Sequence, residues 1–92
     1  MRSAVFIDNQ VSASASVVEV NARDRVGLLY AMLRAFDECG LTVMTAHIAT
    51  YGQLAVDVFY VKDGYGHKLT HTARQAQLQQ TLRAAIGDTE TQ

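Results

Sequence analysis

The spacing of apolar positions divides the 92-residue chain into short β-branched runs and longer stretches of helical period. Ala4 to Asp8 is a brief apolar run stopped by Asp8-Asn9, and Ser16 to Asn21 carries Val17, Val18 and Val20, so both segments predict strands. The small polar stretch from Val11 to Ser16 connects them. From Arg25 to Cys39 the residues Leu28, Leu29, Met32, Leu33 and Phe36 recur on one side of a 3.6-residue period, while Arg34, Asp37 and Glu38 fall outside it. That spacing predicts a helix, and Gly40 stands where a left-handed C-terminal cap belongs.

Two further strands follow, Leu41 to Thr50 and Leu54 to Lys62, joined as a hairpin at Tyr51-Gly52-Gln53. Within the first of these, Leu41 and Val43 share one parity whereas Ala46 and Ile48 share the other, which places a bulge near Met44-Thr45. Two glycines in Asp63-Gly64-Tyr65-Gly66-His67 make a loop. Beyond it, Thr72 with Gln75 reads as a capping box, Leu78, Leu82, Ala85 and Ile86 form an apolar stripe, and Gly87 ends the second helix. Residues 88–92 read as a frayed tail, so one domain spans 1–92 with its core from 4 to 87. One layer of helices on one sheet is the limit of what this length can bury. On parity, Glu19, Asp57, Phe59 and Val61 are expected on the sheet face turned away from the helices, a mixed surface suited to a partner.

Composition narrows the classes of function. A formal charge of −1 and a pI near 6.2 supply no basic stripe for nucleic acid or an acidic membrane surface. No run of 18 apolar residues occurs, and Met1-Arg2-Ser3-Ala4 lacks the apolar stretch of a signal peptide, which implies a soluble, cytoplasmic protein. Cys39 is the single cysteine and sits beside Leu28, Met32 and Phe36 as a packing residue. His47, His67 and His71 have no metal-ligand spacing, no nucleophile-base set assembles, and no phosphate-cradling glycine loop is present. The expectation is therefore a chain without metal, cofactor or catalytic residues of its own.

The segment from Asn21 to Tyr30 carries the candidate chemistry, because Asn21-Ala22-Arg23-Asp24-Arg25-Val26-Gly27-Leu28 joins a strand to a helix N-terminus through a charged turn closed by glycine. The first amides of a helix have no intrahelical partner, so an anion or carboxylate finds donors aimed at it, and Gly27 has no Cβ to block approach. Asp24 either serves such a site or caps the helix by accepting from a nearby N–H. His47, in a strand, is either a hydrogen-bonded, partly buried histidine or part of the lining of a ligand or dimer contact.

Arg23-Asp24-Arg25-x-Gly27-Leu28-Leu29, together with Ala46-His47-Ile48-Ala49-Thr50-Tyr51-Gly52 and Ala55-Val56-Asp57-Val58-Phe59-Tyr60-Val61-Lys62-Asp63, resembles the ACT family of small-molecule-sensing domains, over about Val17 to Gly87. More narrowly, the chain is similar to the regulatory ACT domains of the bacterial uridylyltransferases that report nitrogen status. The resemblance implies an α+β, ferredoxin-like two-layer sandwich with a four-stranded antiparallel sheet and two helices on one face. The family's usual order is strand-helix-strand-strand-helix-strand. Here the last strand is missing, and Ala4 to Asp8 is expected to take its place beside Ser16 to Asn21. Right-handed crossovers then put both helices on one face.

The resemblance also implies an amino-acid ligand, glutamine by the narrower likeness, held by Asn21, Asp24, Arg25, Val26, Gly27, Leu28 and His47. Asp24, Arg25 and Gly27 match the family's Asp-Arg-x-Gly. Val26 departs from it, since proline is usual there and would stiffen the first turn. Asn21 could read the glutamine side-chain amide by paired hydrogen bonds. The implied partner is another ACT domain, as a homodimer or a sibling domain. The alternatives are an interaction module that binds no small molecule, and a stand-alone ACT-repeat protein with an unknown ligand.

Overall fold

The computed structural model describes residues 3–87; the tail expected at 88–92 lies outside them. Six elements follow in order: β1 (Ala4–Asp8), β2 (Ser16–Arg23), α1 (Leu28–Glu38), β3 (Thr42–Tyr51), β4 (Leu54–Lys62) and α2 (Thr72–Ala85). The sheet has the order β1-β2-β4-β3 with every pair antiparallel. The N-terminal strand therefore occupies the edge where the ferredoxin-like sheet ordinarily holds its last strand, as expected. This is the α+β two-layer arrangement, with β3 at the opposite edge.

Local sequence explains the boundaries. Leu41 N–H bonds Phe36 O and Gly40 N–H bonds Asp37 O, both at 3.0 Å, while Gly40 has φ +73°, so glycine closes α1 as its position suggested. The register of β3 on β4 shifts between Val43 and Thr45, which is the bulge anticipated from the change of parity. Tyr51 pairs with Leu54 around a two-residue turn in which Gly52 takes a positive φ.

α1 begins at Leu28 rather than Arg25, and β2 runs two residues past Asn21, because Ala22 packs in the core opposite Ala55. The capping box at Thr72 does not form: the α2 N-cap is His71 without a side-chain bond, and Gln75 Nε2 instead donates to Leu69 O at 2.8 Å.

The core lies between the helices and one face of the sheet. Val18, Val20 and Ala22 of β2, Ala55, Phe59 and Val61 of β4, Leu28, Met32, Ala35 and Phe36 of α1, and Leu78 and Leu82 of α2 are buried there together. The rings of Phe36 and Phe59 pack with centroids 4.9 Å apart at 54°. This corrects the expectation that Asp57, Phe59 and Val61 turn away from the helices with Glu19. The register Val20↔Asp57, Val18↔Phe59 and Ser16↔Val61 puts all three on the helix face. The open face instead carries Glu19 with Val56, Val58 and Tyr60, the other parity of β4.

A buried polar pin fixes the N-terminal hairpin to the rest of the domain. Ser16, fully buried, donates its hydroxyl to Asn9 Oδ1 and accepts Leu69 N–H at 2.8 Å. Asn9 Nδ2 donates to Leu69 O at 2.9 Å, and Lys68 Nζ donates to Asn9 O at 2.8 Å. The segment before α2 is thereby tied to β1 and β2, which holds the permuted strand in its register.

Candidate functional site

The turn from β2 into α1 is short, only residues 24–27, and it is held at both ends. Asp24 N–H donates to Gln53 O in the β3–β4 turn at 2.8 Å, and Arg25 Nη2 donates to Ala85 O at the C-terminal end of α2 at 2.7 Å. Between these anchors Val26 stands 99% exposed. Gly27 has φ +83° and ψ 1°, the left-handed region that an L side chain enters only with strain. A Cβ placed on Gly27 would find nothing nearer than Arg25 Nη1 at 3.9 Å, so the glycine is required by backbone conformation and not by crowding.

The helix N-terminus has no side-chain cap. Asp24 thus does not serve as the cap, one of the two roles its position suggested. Leu28 N–H is taken by Arg25 O at 3.2 Å and Ala31 N–H by Gly27 O at 3.0 Å. Leu29 and Tyr30 supply the first-turn amides between them. In such a place, uncompensated N–H groups and the helix dipole favour a negatively charged group.

The seven residues singled out in the sequence do not all meet here. Asp24, Arg25, Val26 and Gly27 form the exposed turn, and Leu28 continues it by its backbone while its side chain enters the core. Asn21 lies within β2, paired with Ala4 and Val56. Its parity sends it to the open face, where its Oδ1 is buried without a partner. His47 is also on the open face, exposed on β3, with its ring edge-on to Tyr60 at 5.8 Å and 72°. Asn21 and His47 therefore share a face with each other and not with the turn.

Asp57 is the residue near the turn that pattern reasoning misplaced. It is only 2% exposed, on the helix face opposite Val20 and Ile48, and its Oδ1 accepts Ala49 N–H at 3.3 Å. Burial pushes its carboxyl above the ordinary value; the Ala49 N–H bond lowers it, and the negative charge of Asp24 raises it further. An acid interrupting the apolar row Ala55, Phe59 and Val61 was the available signal. Elsewhere, Asp63 closes its own loop by accepting His67 N–H and Tyr65 N–H at 2.9 Å, and these bonds, the first foremost, hold its carboxyl below the usual range.

Two surface features border the turn. Tyr30, Arg34 and Glu38 of α1 face Thr81, Ala84 and Ala85 of α2 across an open groove of about 400 Å³. On the other flank of α1, Leu29 and Leu33, with Met44 and Ile48 of the edge strand β3, are 38–53% exposed. Among the described residues no group of three His, Cys, Asp or Glu is placed to hold a metal ion, and no helix is long and apolar enough to cross a membrane.

Residues 4–89 match the family described as ACR9-like, ACT-like domain. The chain is 49% identical over 84 residues to the bifunctional uridylyltransferase/uridylyl-removing enzyme of Azospirillum brasilense, covering 91% of this chain and 9% of that protein. It is 51% identical over 81 residues to the enzyme of the same name from Zymomonas mobilis, covering 88% and 9%. The likeness to that of Rhodospirillum rubrum is 46% over 85 residues, covering 92% and 9%. The chain thus spans about a tenth of the length of these curated relatives. A crystal structure of an unknown protein from Galdieria sulphuraria shares the fold, with TM-score 0.57 and 24% identity over 77% of this chain and 37% of that one.

Proposed function

The chain belongs to the ACT-like domain family, and from that premise we propose that it is the amino-acid-sensing regulatory domain of a bifunctional uridylyltransferase/uridylyl-removing enzyme, with L-glutamine as its ligand at the β2–α1 turn. The observation that carries this reading is the uncapped start of α1 behind a left-handed, Cβ-free Gly27. A ligand carboxylate fits there against the amides of Leu29 and Tyr30, with Gly27 leaving the approach open. Asp24 stands at the entrance for the ammonium or the side-chain amide. The likeness to three enzymes named for adding and removing uridylyl groups, of whose length the chain spans about a tenth, supports a regulatory role. Melting the domain in the presence of each amino acid in turn tests it: a ligand that binds only the folded state raises the melting temperature, by about 2.7 kcal/mol of stability at a hundredfold excess over its dissociation constant. Glutamine should stand out, and a flat panel would remove the reading.

A second property rests on the apolar strip. Leu29, Leu33, Met44 and Ile48 border the unpaired edge of β3, and an edge strand with an apolar flank favours pairing with another ACT domain, either a second copy or a sibling in the same protein. Sedimentation of the chain and of Ile48→Lys is the check on self-pairing. A dimer that the lysine dissociates supports it, and a monomer at all concentrations rules it out for this chain alone.

A further inference from the structure

Arg25 joins the candidate turn to the end of the other helix. Its Nη2 donates to Ala85 O at 2.7 Å, its Nη1 donates to Val26 O at 3.3 Å, and its own carbonyl accepts Leu28 N–H. The guanidinium therefore rests on the C-terminal turn of α2, where carbonyl oxygens carry partial negative charge and a cation is favoured. The same group lies against the open side of Gly27, because Nη1 is the nearest atom to the position a Cβ would take there. A group that approaches Gly27 from the side a Cβ would occupy meets this guanidinium.

We propose that Arg25 is a positioning residue that is handed over on binding. In the free domain it holds the turn against α2 through Ala85 O, and a ligand carboxylate at the turn takes it away. The direction follows from bond strength. A carboxylate accepts two parallel N–H bonds from the planar guanidinium and carries full charge, whereas the Ala85 carbonyl accepts one bond and carries partial charge. The contact with α2 is exposed to solvent, so little is lost when it breaks. Occupation of the turn is then read at residues 85–87, which lose a stabilising cation, and the signal passes from the start of one helix to the end of the other without any rearrangement of the sheet. The inference rests on the turn being an amino-acid site.

Hydrogen exchange with and without L-glutamine, alongside calorimetry, decides the matter. In the parent chain glutamine should slow exchange at residues 28–31 and accelerate it at 85–87 by about two- to fivefold, the range that corresponds to losing one exposed cation from a helix terminus. In Arg25→Met the amides at 85–87 should exchange at the faster rate without ligand and should not respond to it. Arg25→Lys should restore part of the protection in the free state, because it returns the charge without the fork. Glutamine heat with exchange at 85–87 unchanged or slowed would overturn the handover. If the parent gives no heat, the glutamine reading falls, and the ligand-free arm decides the coupling: Arg25→Met must accelerate exchange at both 28–31 and 85–87, and an effect at one or neither overturns it.

Discussion

Replacing Gly27 perturbs the turn in two separable ways, and the structure sets the size of one of them. A side chain at this position meets no wall, since Arg25 Nη1 at 3.9 Å is an ordinary contact. It must nevertheless adopt φ +83°, and the left-handed conformation costs an L residue about 1–2 kcal/mol, with β-branched residues at the upper end. For a domain of this size each kcal/mol moves the melting temperature by about 4–8 °C, so Gly27→Val should melt roughly 8–16 °C below the parent. Gly27→Asn tolerates the left-handed region and should lose clearly less, although it too sets a Cβ beside Arg25 Nη1 at the turn. Differential scanning calorimetry reads stability, and isothermal calorimetry reads glutamine binding in the same samples. The expected pattern is a large loss of stability for valine only, with loss of binding for both. A valine variant that melts with the parent would refute the argument from φ, and an asparagine variant that still binds normally would move the site away from Gly27.

Ser16→Ala removes the acceptor of the buried Leu69 N–H and the donor to Asn9. One such orphaned group costs about 1–3 kcal/mol, or roughly 4–24 °C in melting temperature, and a variant within a degree of the parent would show that the pin contributes nothing. Asp57 is an acid whose folded pKa is raised, so its charged form penalises the native state above the folded pKa and the penalty disappears once the pH falls below the unfolded value. Asp57→Asn should therefore raise the melting temperature at neutral pH and converge with the parent below the ordinary carboxylate range, as long as its amide oxygen keeps the Ala49 N–H; a pH-independent difference contradicts this. Deleting residues 1–10 strips β1 from β2 and removes Asn9 from the pin, so the truncated chain should lose stability or aggregate through its new edge. Unchanged melting would remove the structural role of the N-terminal strand.

What was legible in the sequence was mainly what local backbone chemistry dictates. Gly40 after an amphipathic run, the parity change at Met44 and Gly52 between two β-branched segments each constrain a few residues whatever surrounds them, and all three appear where expected. The place of β1 at the sheet edge was legible because an open edge beside β2 demanded an antiparallel neighbour. The face of β4 was not legible. Both of its parities are apolar, Ala55, Phe59 and Val61 on one and Val56, Val58 and Tyr60 on the other, and the lone Asp57 argued for solvent when its register with Val20 put it on the helix face.

The same limit applied to the site. Asn21 adjoins the turn in sequence, yet strand pairing continues to Arg23 and turns Asn21 to the opposite face. Asp24 and Thr72 have the composition of caps, but caps depend on the angle at which the chain enters the helix, and tertiary contacts set that angle here: Asp24 to Gln53 and Gln75 to Leu69. The contact of Arg25 with Ala85 spans sixty residues, and no periodicity encodes it.

Titrating L-glutamine into the 92-residue chain by isothermal calorimetry, with L-glutamate and L-asparagine as controls, is the most direct test of an amino-acid sensor at the β2–α1 turn. Saturable heat for glutamine, weaker for either control and lost in Gly27→Asn at a temperature where that variant is folded, is the expected result. No heat from glutamine, or equal heat that survives in Gly27→Asn, would contradict it.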